Sequence, residues 1–273
     1  MIDFNNPYVL LGLLPFVLTM LAMALTRFYV GEGLGNTMAS ASLVGSFLLV
    51  LLIYFGWPTW PAEHHREVIL YLCLFTLLYG LLLDRFPGLD SANIFFKSII
   101  PLSGTFWVLA PGSDPLAFSE AEYRGLALIA VVAMGYFLKL EQDWQDGLDL
   151  TLPLLLVGLG GMAIAWTGGY DITRDILLAY SSALGGYMLL NMHKRRFPLG
   201  AAGLYPSFMI ILTSLLSLIM DTPSLSPAII LLSGIFLADG ISHRLPLSLP
   251  HKGKKAGVMV SLMVLSLIFA YMG

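Results

Sequence analysis

The stretch Ala201-Ala-Gly-Leu-Tyr-Pro-Ser-Phe-Met-Ile-Ile-Leu-Thr-Ser-Leu-Leu-Ser-Leu-Ile-Met220 runs twenty residues without a charged side chain. A helix of that length crosses the roughly 30 Å hydrocarbon core of a bilayer. The rest of the chain carries the same signature. Of 273 residues 58% are apolar and only 11% charged, too few charges to coat a water-facing surface. The single Cys73 excludes a disulfide scaffold, and a net charge of −3 excludes a strongly basic nucleic-acid binder. The N-terminus has no positive region ahead of its first apolar run, which is therefore expected to be a span and not a cleaved signal.

Ten runs qualify as candidate helices: 8–26, 38–56, 68–83, 94–110, 123–138, 150–167, 173–192, 201–220, 225–240 and 257–272, the third, fifth and ninth being short. Breakers such as Gly56-Trp57-Pro58, Pro87-Gly88 and Pro111-Gly112 separate them. No connection is long enough for a soluble domain, so residues 1–273 read as one all-α polytopic membrane domain. Lys and Arg distribute unevenly between the connections. The odd-numbered ones hold eleven, including Arg27, Arg85, Lys139, Lys194 to Arg196 and Lys252 to Lys255; the even-numbered ones hold Arg66, Arg124 and Arg174. Basic residues mark the cytoplasmic side, so both termini are expected outside and the odd connections inside.

Four inner connections carry candidate chemistry. Gly80-Leu-Leu-Leu-Asp84-Arg85 ends an apolar helix in an acid and a base. It reads either as a helix end with a solvated charge pair or as a carboxylate that holds a cation at the membrane face. Lys139 to Asp149 contains Glu141, Asp143, Asp146 and Asp149. The three aspartates recur every third residue and repel one another unless a cation, a proton or solvent relieves them. Oxygen ligands of this kind suit Mg²⁺. Asn191 to Gly203 includes the basic triplet Lys194-Arg195-Arg196, suited to lipid headgroups or a phosphate. The segment from Ser242 to Lys255 reads the same way. No His/Cys cluster has metal-ligand spacing, so no metal site is expected from spacing. His64-His65 reads as a solvated outer turn, and Gly31-Glu-Gly33-Leu-Gly35 as a flexible connection.

The order and content of these connections resemble the polyprenyl-phosphate N-acetylhexosamine-1-phosphate transferases. That family includes the phospho-N-acetylmuramoyl-pentapeptide transferase of peptidoglycan synthesis and the GlcNAc-1-phosphate transferase of O-antigen synthesis. Its third helix ends Gly-x-x-Asp-Asp; here Gly80 and Asp84 are kept and Leu83 replaces the first acid. Its next motif, Asn-x-x-Asn-x-x-Asp-Gly-x-Asp-Gly, is matched at Asp146, Gly147 and Asp149, with Asp143 in place of the second asparagine. Asn191 is kept. The later Phe-Met-Gly-Asp-x-Gly-Ser reads Pro198-Leu199-Gly200-Ala201-Ala202-Gly203-Leu204, so the family's metal-binding aspartate is Ala201. The family's His-x-His-His is missing, with only His251 nearby, as is its basic stretch after helix one.

The resemblance implies ten or eleven helices in a bacterial inner membrane. A cleft among helices three, four, five, eight and nine would open to the inner face, approached by Asp84, Asp146 and Asn191. It also implies a Mg²⁺-dependent transfer of a sugar-1-phosphate from a UDP-sugar to polyprenyl phosphate. The departures cut against that reaction. Leu83 and Ala201 offer no ligand atom to an ion that demands near-octahedral oxygen ligation, and one lost electrostatic stabiliser already costs about 10²–10³ in rate. Asp84, Asp143, Asp146 and Asp149 then stand as vestigial positions, with no cofactor. Asn191, Lys194, Arg195 and Arg196 are expected to receive a lipid phosphate, polyprenyl phosphate among the candidates. The expected role is that of a lipid-phosphate-binding or scaffold subunit beside an envelope-glycan enzyme or a second copy of the chain. Two alternatives stay open. One is an active transferase whose rebuilt site holds Mg²⁺ on the four aspartates; the other is an unrelated ten-helix transporter.

Overall fold

Backbone groups have no water to bond to in hydrocarbon, so an apolar chain must satisfy them within each segment. Every regular element among the described residues is accordingly helical. The computed structural model describes residues 6–31, 33–60, 62, 64–86, 103–105, 120–142, 147–192, 197–244 and 250–272. Nine long helices follow one another in these residues. They are α1 (Val9–Val30), α2 (Gly33–Phe55), α3 (His65–Arg85), α4 (Glu120–Gln142) and α5 (Gly147–Gly168), then α6 (Asp171–Met192), α7 (Gly200–Asp221), α8 (Pro223–Arg244) and α9 (His251–Met272). Seven are long and apolar enough to cross a membrane: α1, α2 from Met38, α3, α5 from Leu150, α7, α8 and α9. The remaining two, α4 and α6, open on charged turns, Glu120 to Arg124 and Asp171 to Asp175. The protein is thus an all-α polytopic membrane protein.

The expected helices at 68–83, 123–138 and 225–240 are longer than the sequence suggested. Charged or polar residues at their ends are absorbed into the helix, as His65, Arg85 and Arg244 are. Of the expected 94–110 only residues 103–105 are described, as one helical turn. Gly31-Glu-Gly33-Leu-Gly35 is no loose connection. Gly31 turns the chain at φ +78°, a left-handed value suited to glycine, and α2 begins at Gly33.

Helix α7 takes the centre: 83% of its span is buried, against 22% for α1 and 17% for α9. It packs most extensively on α3, and α2, α6 and α5 surround it. Helix α1 covers α2 and α6, while α9 covers α8 and α5. Between lipid-embedded helices the gain comes from close packing, which small residues permit. At Gly80 of α3 an added Cβ would lie 2.5 Å from the Ala201 carbonyl oxygen and 2.6 Å from Ala202 Cα. Around Tyr205 the aromatic rings of Tyr79, from α3, and Phe137, from α4, stand at 5.9 and 4.9 Å.

The connections sort by end. At one end the Arg27 guanidinium sits 5.9 Å over the Phe197 ring, Asp84 meets the start of α7, and the Tyr205 hydroxyl donates to Glu141 Oε1 at 3.0 Å. Asp239 and Lys255 face each other there too. At the other end Tyr54 donates to Asp175 at 3.1 Å, and Tyr8 stacks on Trp166 at 6.1 Å. His65, Thr173, Ser217 and Asp221 line a polar cavity of about 450 Å³ at this second end. Among the described residues, those next to the odd connections thus gather at one end and those next to the second, sixth and eighth at the other.

Candidate functional site

The end that gathers the odd connections begins with a bare helix start. Helix α7 follows Pro198-Leu199, and Leu199 at its cap position has no side chain that can bond the free N–H groups. Asp84, at the end of α3, does it from a distance. Its Oδ1 accepts the Ala201 N–H at 2.8 Å and its Oδ2 the Ala202 N–H at 3.0 Å. A carboxylate here also meets the positive end of the α7 dipole. Gly80, one turn earlier on the same face, is what lets the two backbones come close enough. Gly200 has φ +57°, and a Cβ there would meet Asp84 Oδ2 at 2.8 Å, so both geometry and space require glycine. Asp84 is therefore not half of a solvated charge pair; it caps a helix 117 residues away.

Asn191 holds the approach to the same helix start. Phe197 N–H donates to Asn191 Oδ1 at 3.1 Å, and the Tyr187 hydroxyl donates to the Phe197 carbonyl at 2.6 Å. Residues one turn apart on α6 thus clamp both backbone groups of Phe197. Gly80 and Asp84 of α3 and Asn191 of α6 thus converge on residues 197–202. Ala201 lies against Asp84 and offers it a backbone N–H, its methyl side chain having no polar atom. Replacing Asp84 by Ala is expected to cost about 1–3 kcal/mol by stranding two buried donors. Asp84→Asn keeps one acceptor and loses roughly half as much. Thermal midpoints of the detergent-solubilised variants check the order.

The remaining expected residues fall outside this description. Asp143, Asp146, Lys194, Arg195 and Arg196 lie outside the described residues, and of Asp149 only its place in the first turn of α5 is described.

Next to the capped end, an apolar groove runs between α4, α7 and α8. Val132 and Tyr136 line it from α4, Phe208 and Ile211 from α7, and Ile229 and Phe236 from α8. These are three of the five helices expected around a cleft, namely the fifth, eighth and ninth in the sequence's count. Asp84 and Asn191 do not line it, since α3 and α6 lie on other sides of α7. At one part of the groove Tyr136 Oη and Ser233 Oγ stand 3.3 Å apart, and the Tyr136 and Phe236 rings 5.6 Å. One turn further along each helix come Lys139 of α4 and Asp239 of α8, and Lys255 Nζ lies 3.6 Å from Asp239. The groove thus ends beside Lys139 and the Lys255–Asp239 pair.

Two further features were not anticipated. Asp239, His243 and His251 bring three potential metal-ligand atoms within 4.8 Å of one another, although the sequence presents no metal spacing. Asp239 and His243 are four residues apart on α8, a signal that was available; His251 joins them only because α9 folds back. His64 is exposed just ahead of α3, as a solvated turn requires, but it also forms a capping box with Glu67, and His65 lines the polar cavity at the far end.

In comparisons with known proteins, no family model, no curated protein and no solved structure matches this chain.

Proposed function

We propose that this protein is a degenerate relative of the polyprenyl-phosphate sugar-1-phosphate transferases. It binds a polyprenyl phosphate in the cytoplasmic membrane of a bacterium and serves an envelope-glycan enzyme without transferring sugar phosphate itself. The observation that carries the reading is the groove between α4, α7 and α8 beside Lys139 and Lys255. An isoprenoid tail needs an apolar channel open to lipid, and its phosphate needs cations at the membrane surface, each worth about 1 kcal/mol. Absence of transfer rests on Asp84 and Ala201. The first spends its carboxylate on the α7 amides, and the second has no ligand atom.

The finer topology belongs to the same reading. Arg85 lies at the Asp84 end of the bundle. Helix α4 arrives at that end at Glu141, so Glu120 starts from the other. The chain thus leaves α3 at one end and enters α4 at the other, which favours ten crossings with both termini outside.

The test is equilibrium binding of undecaprenyl phosphate to the protein in nanodiscs, run beside an assay for uridine monophosphate release from UDP-GlcNAc. Binding without release is expected. Val132→Trp fills the groove and weakens binding by about tenfold or more, each displaced CH₂ contact being worth ~0.8 kcal/mol. Unchanged affinity in that variant would rule out the groove. Release of uridine monophosphate that disappears in Asp146→Asn would make the protein an active enzyme with a rebuilt site.

A further inference from the structure

The last turn of α8 and the first turn of α9 meet across the connection 245–250, and their side chains converge on one carboxylate. His251 Nε2 lies 3.1 Å from Asp239 Oδ1, and His243 Nε2 lies 3.9 Å from Asp239 Oδ2. The two imidazole rings are stacked, with centroids 3.9 Å apart and planes within 25°. Both imidazoles are solvent-exposed, so an ion could reach them from water.

The Ser242 hydroxyl donates to the Asp239 carbonyl at 2.8 Å and stands 3.4 Å from His251 Nδ1, while Nε2 of the same ring faces the Asp239 carboxylate. A divalent cation can take one nitrogen from each ring together with a carboxylate oxygen.

We propose that Asp239, His243 and His251 form a Zn²⁺ site that ties α8 to α9. Two imidazole nitrogens and one carboxylate oxygen are the donor set zinc favours, and three protein ligands leave a fourth position open. Tetrahedral zinc with ligand bonds of about 2.0–2.1 Å spaces neighbouring donors by about 3.3 Å. The three donor atoms already lie within 4.8 Å of one another, so closing on one ion takes up to about 1.5 Å, with the two stacked rings fanning apart. Ser242 on Nδ1 supplies the outer hydrogen bond that zinc-bound histidines require. Lys255 Nζ, 3.6 Å from Asp239 Oδ1, competes with the ion for that oxygen.

Metal-free full-length protein in detergent is titrated with Zn²⁺ against a chromogenic chelator, and with Co²⁺ for its visible spectrum. One equivalent binds, and Co²⁺ gives the intense absorption of a tetrahedral site. His243→Ala and His251→Ala each weaken binding by about 100-fold, while His64→Ala and His65→Ala leave it unchanged. Lys255→Met tightens it about three- to tenfold by removing a competing charge. This variant keeps all three ligands, so it tests the site even if a histidine variant misfolds. An Asp–His–Lys ion cluster without a metal predicts no saturable binding, and that result overturns the proposal. So does equal loss of zinc in the His64 and His243 variants, or zinc affinity that falls in Lys255→Met.

Discussion

Gly80→Val is expected to yield no folded bundle. The valine Cβ would stand 2.5 Å from the Ala201 carbonyl oxygen, 2.6 Å from Ala202 Cα and 2.7 Å from the Ala201 carbonyl carbon. All three are backbone atoms, so no side chain can swing aside to make room. Helix α3 must retreat, which pulls Asp84 off the α7 amides and separates Tyr79 from Tyr205. Overpacking alone costs about 1–3 kcal/mol. Losing the cap and the packing of the most buried helix adds several more, against a total stability of about 5–15 kcal/mol. Monodisperse yield and thermal unfolding in detergent measure the effect. A Gly80→Val protein that purifies normally and melts near the wild type would mean that α3 and α7 do not approach at this point.

The second large effect belongs to the opposite end of the bundle. Asp175, buried on α6, receives Arg174 Nε at 2.9 Å, Arg174 Nη2 at 2.8 Å and the Tyr54 hydroxyl at 3.1 Å. The guanidinium lies 6.0 Å over the Trp166 ring and reaches the exposed Asp171 as well. Asp175→Leu leaves a half-buried cation with only its exposed partner and removes the acceptor of the Tyr54 hydroxyl, a change expected to cost about 2–3 kcal/mol. Tyr54→Phe removes one hydrogen bond and should cost about 1 kcal/mol. Melting temperatures of the two variants separate the cases. Equal effects would mean that solvent reaches Arg174 and supports it without Asp175.

The length of the apolar runs and the charge count made most of the helices legible. An uninterrupted run such as 201–220 has one stable form in lipid, and the alternation of Lys and Arg orders its neighbours. What the runs do not encode is which helix becomes the centre. The α7 run looks no more apolar than its peers; it is central because its small first turn, Ala201-Ala202, admits Gly80 of α3. The site was legible only in fragments. Gly80 and Asp84 stood out, but the partner of Asp84 is an amide 117 residues later, and no local pattern announces a cap supplied from elsewhere. Asn191 likewise acts on Phe197 through a backbone N–H, which every residue but proline offers. The segment from Ser242 to Lys255 reads as basic, because His243 and His251 meet only through a reversal of the chain. The start of α3 was closer to readable, since His64 and Glu67 have the three-residue spacing of a capping box.

The α3–α7 contact also has a cost in time. During synthesis at about 5–20 residues per second, α3 enters the membrane and waits on the order of ten seconds for α7 to follow. Through that interval the Gly80 notch and the Asp84 carboxylate have no α7 to meet, and the charge sits at the edge of hydrocarbon. Helices α1 and α2 can pair as soon as they emerge, but the centre of the bundle cannot close until its eighth expected span arrives. Assembly is therefore late and nonlocal. Variants that leave the finished structure intact yet slow α7 insertion should be cleared by membrane proteases before they fold.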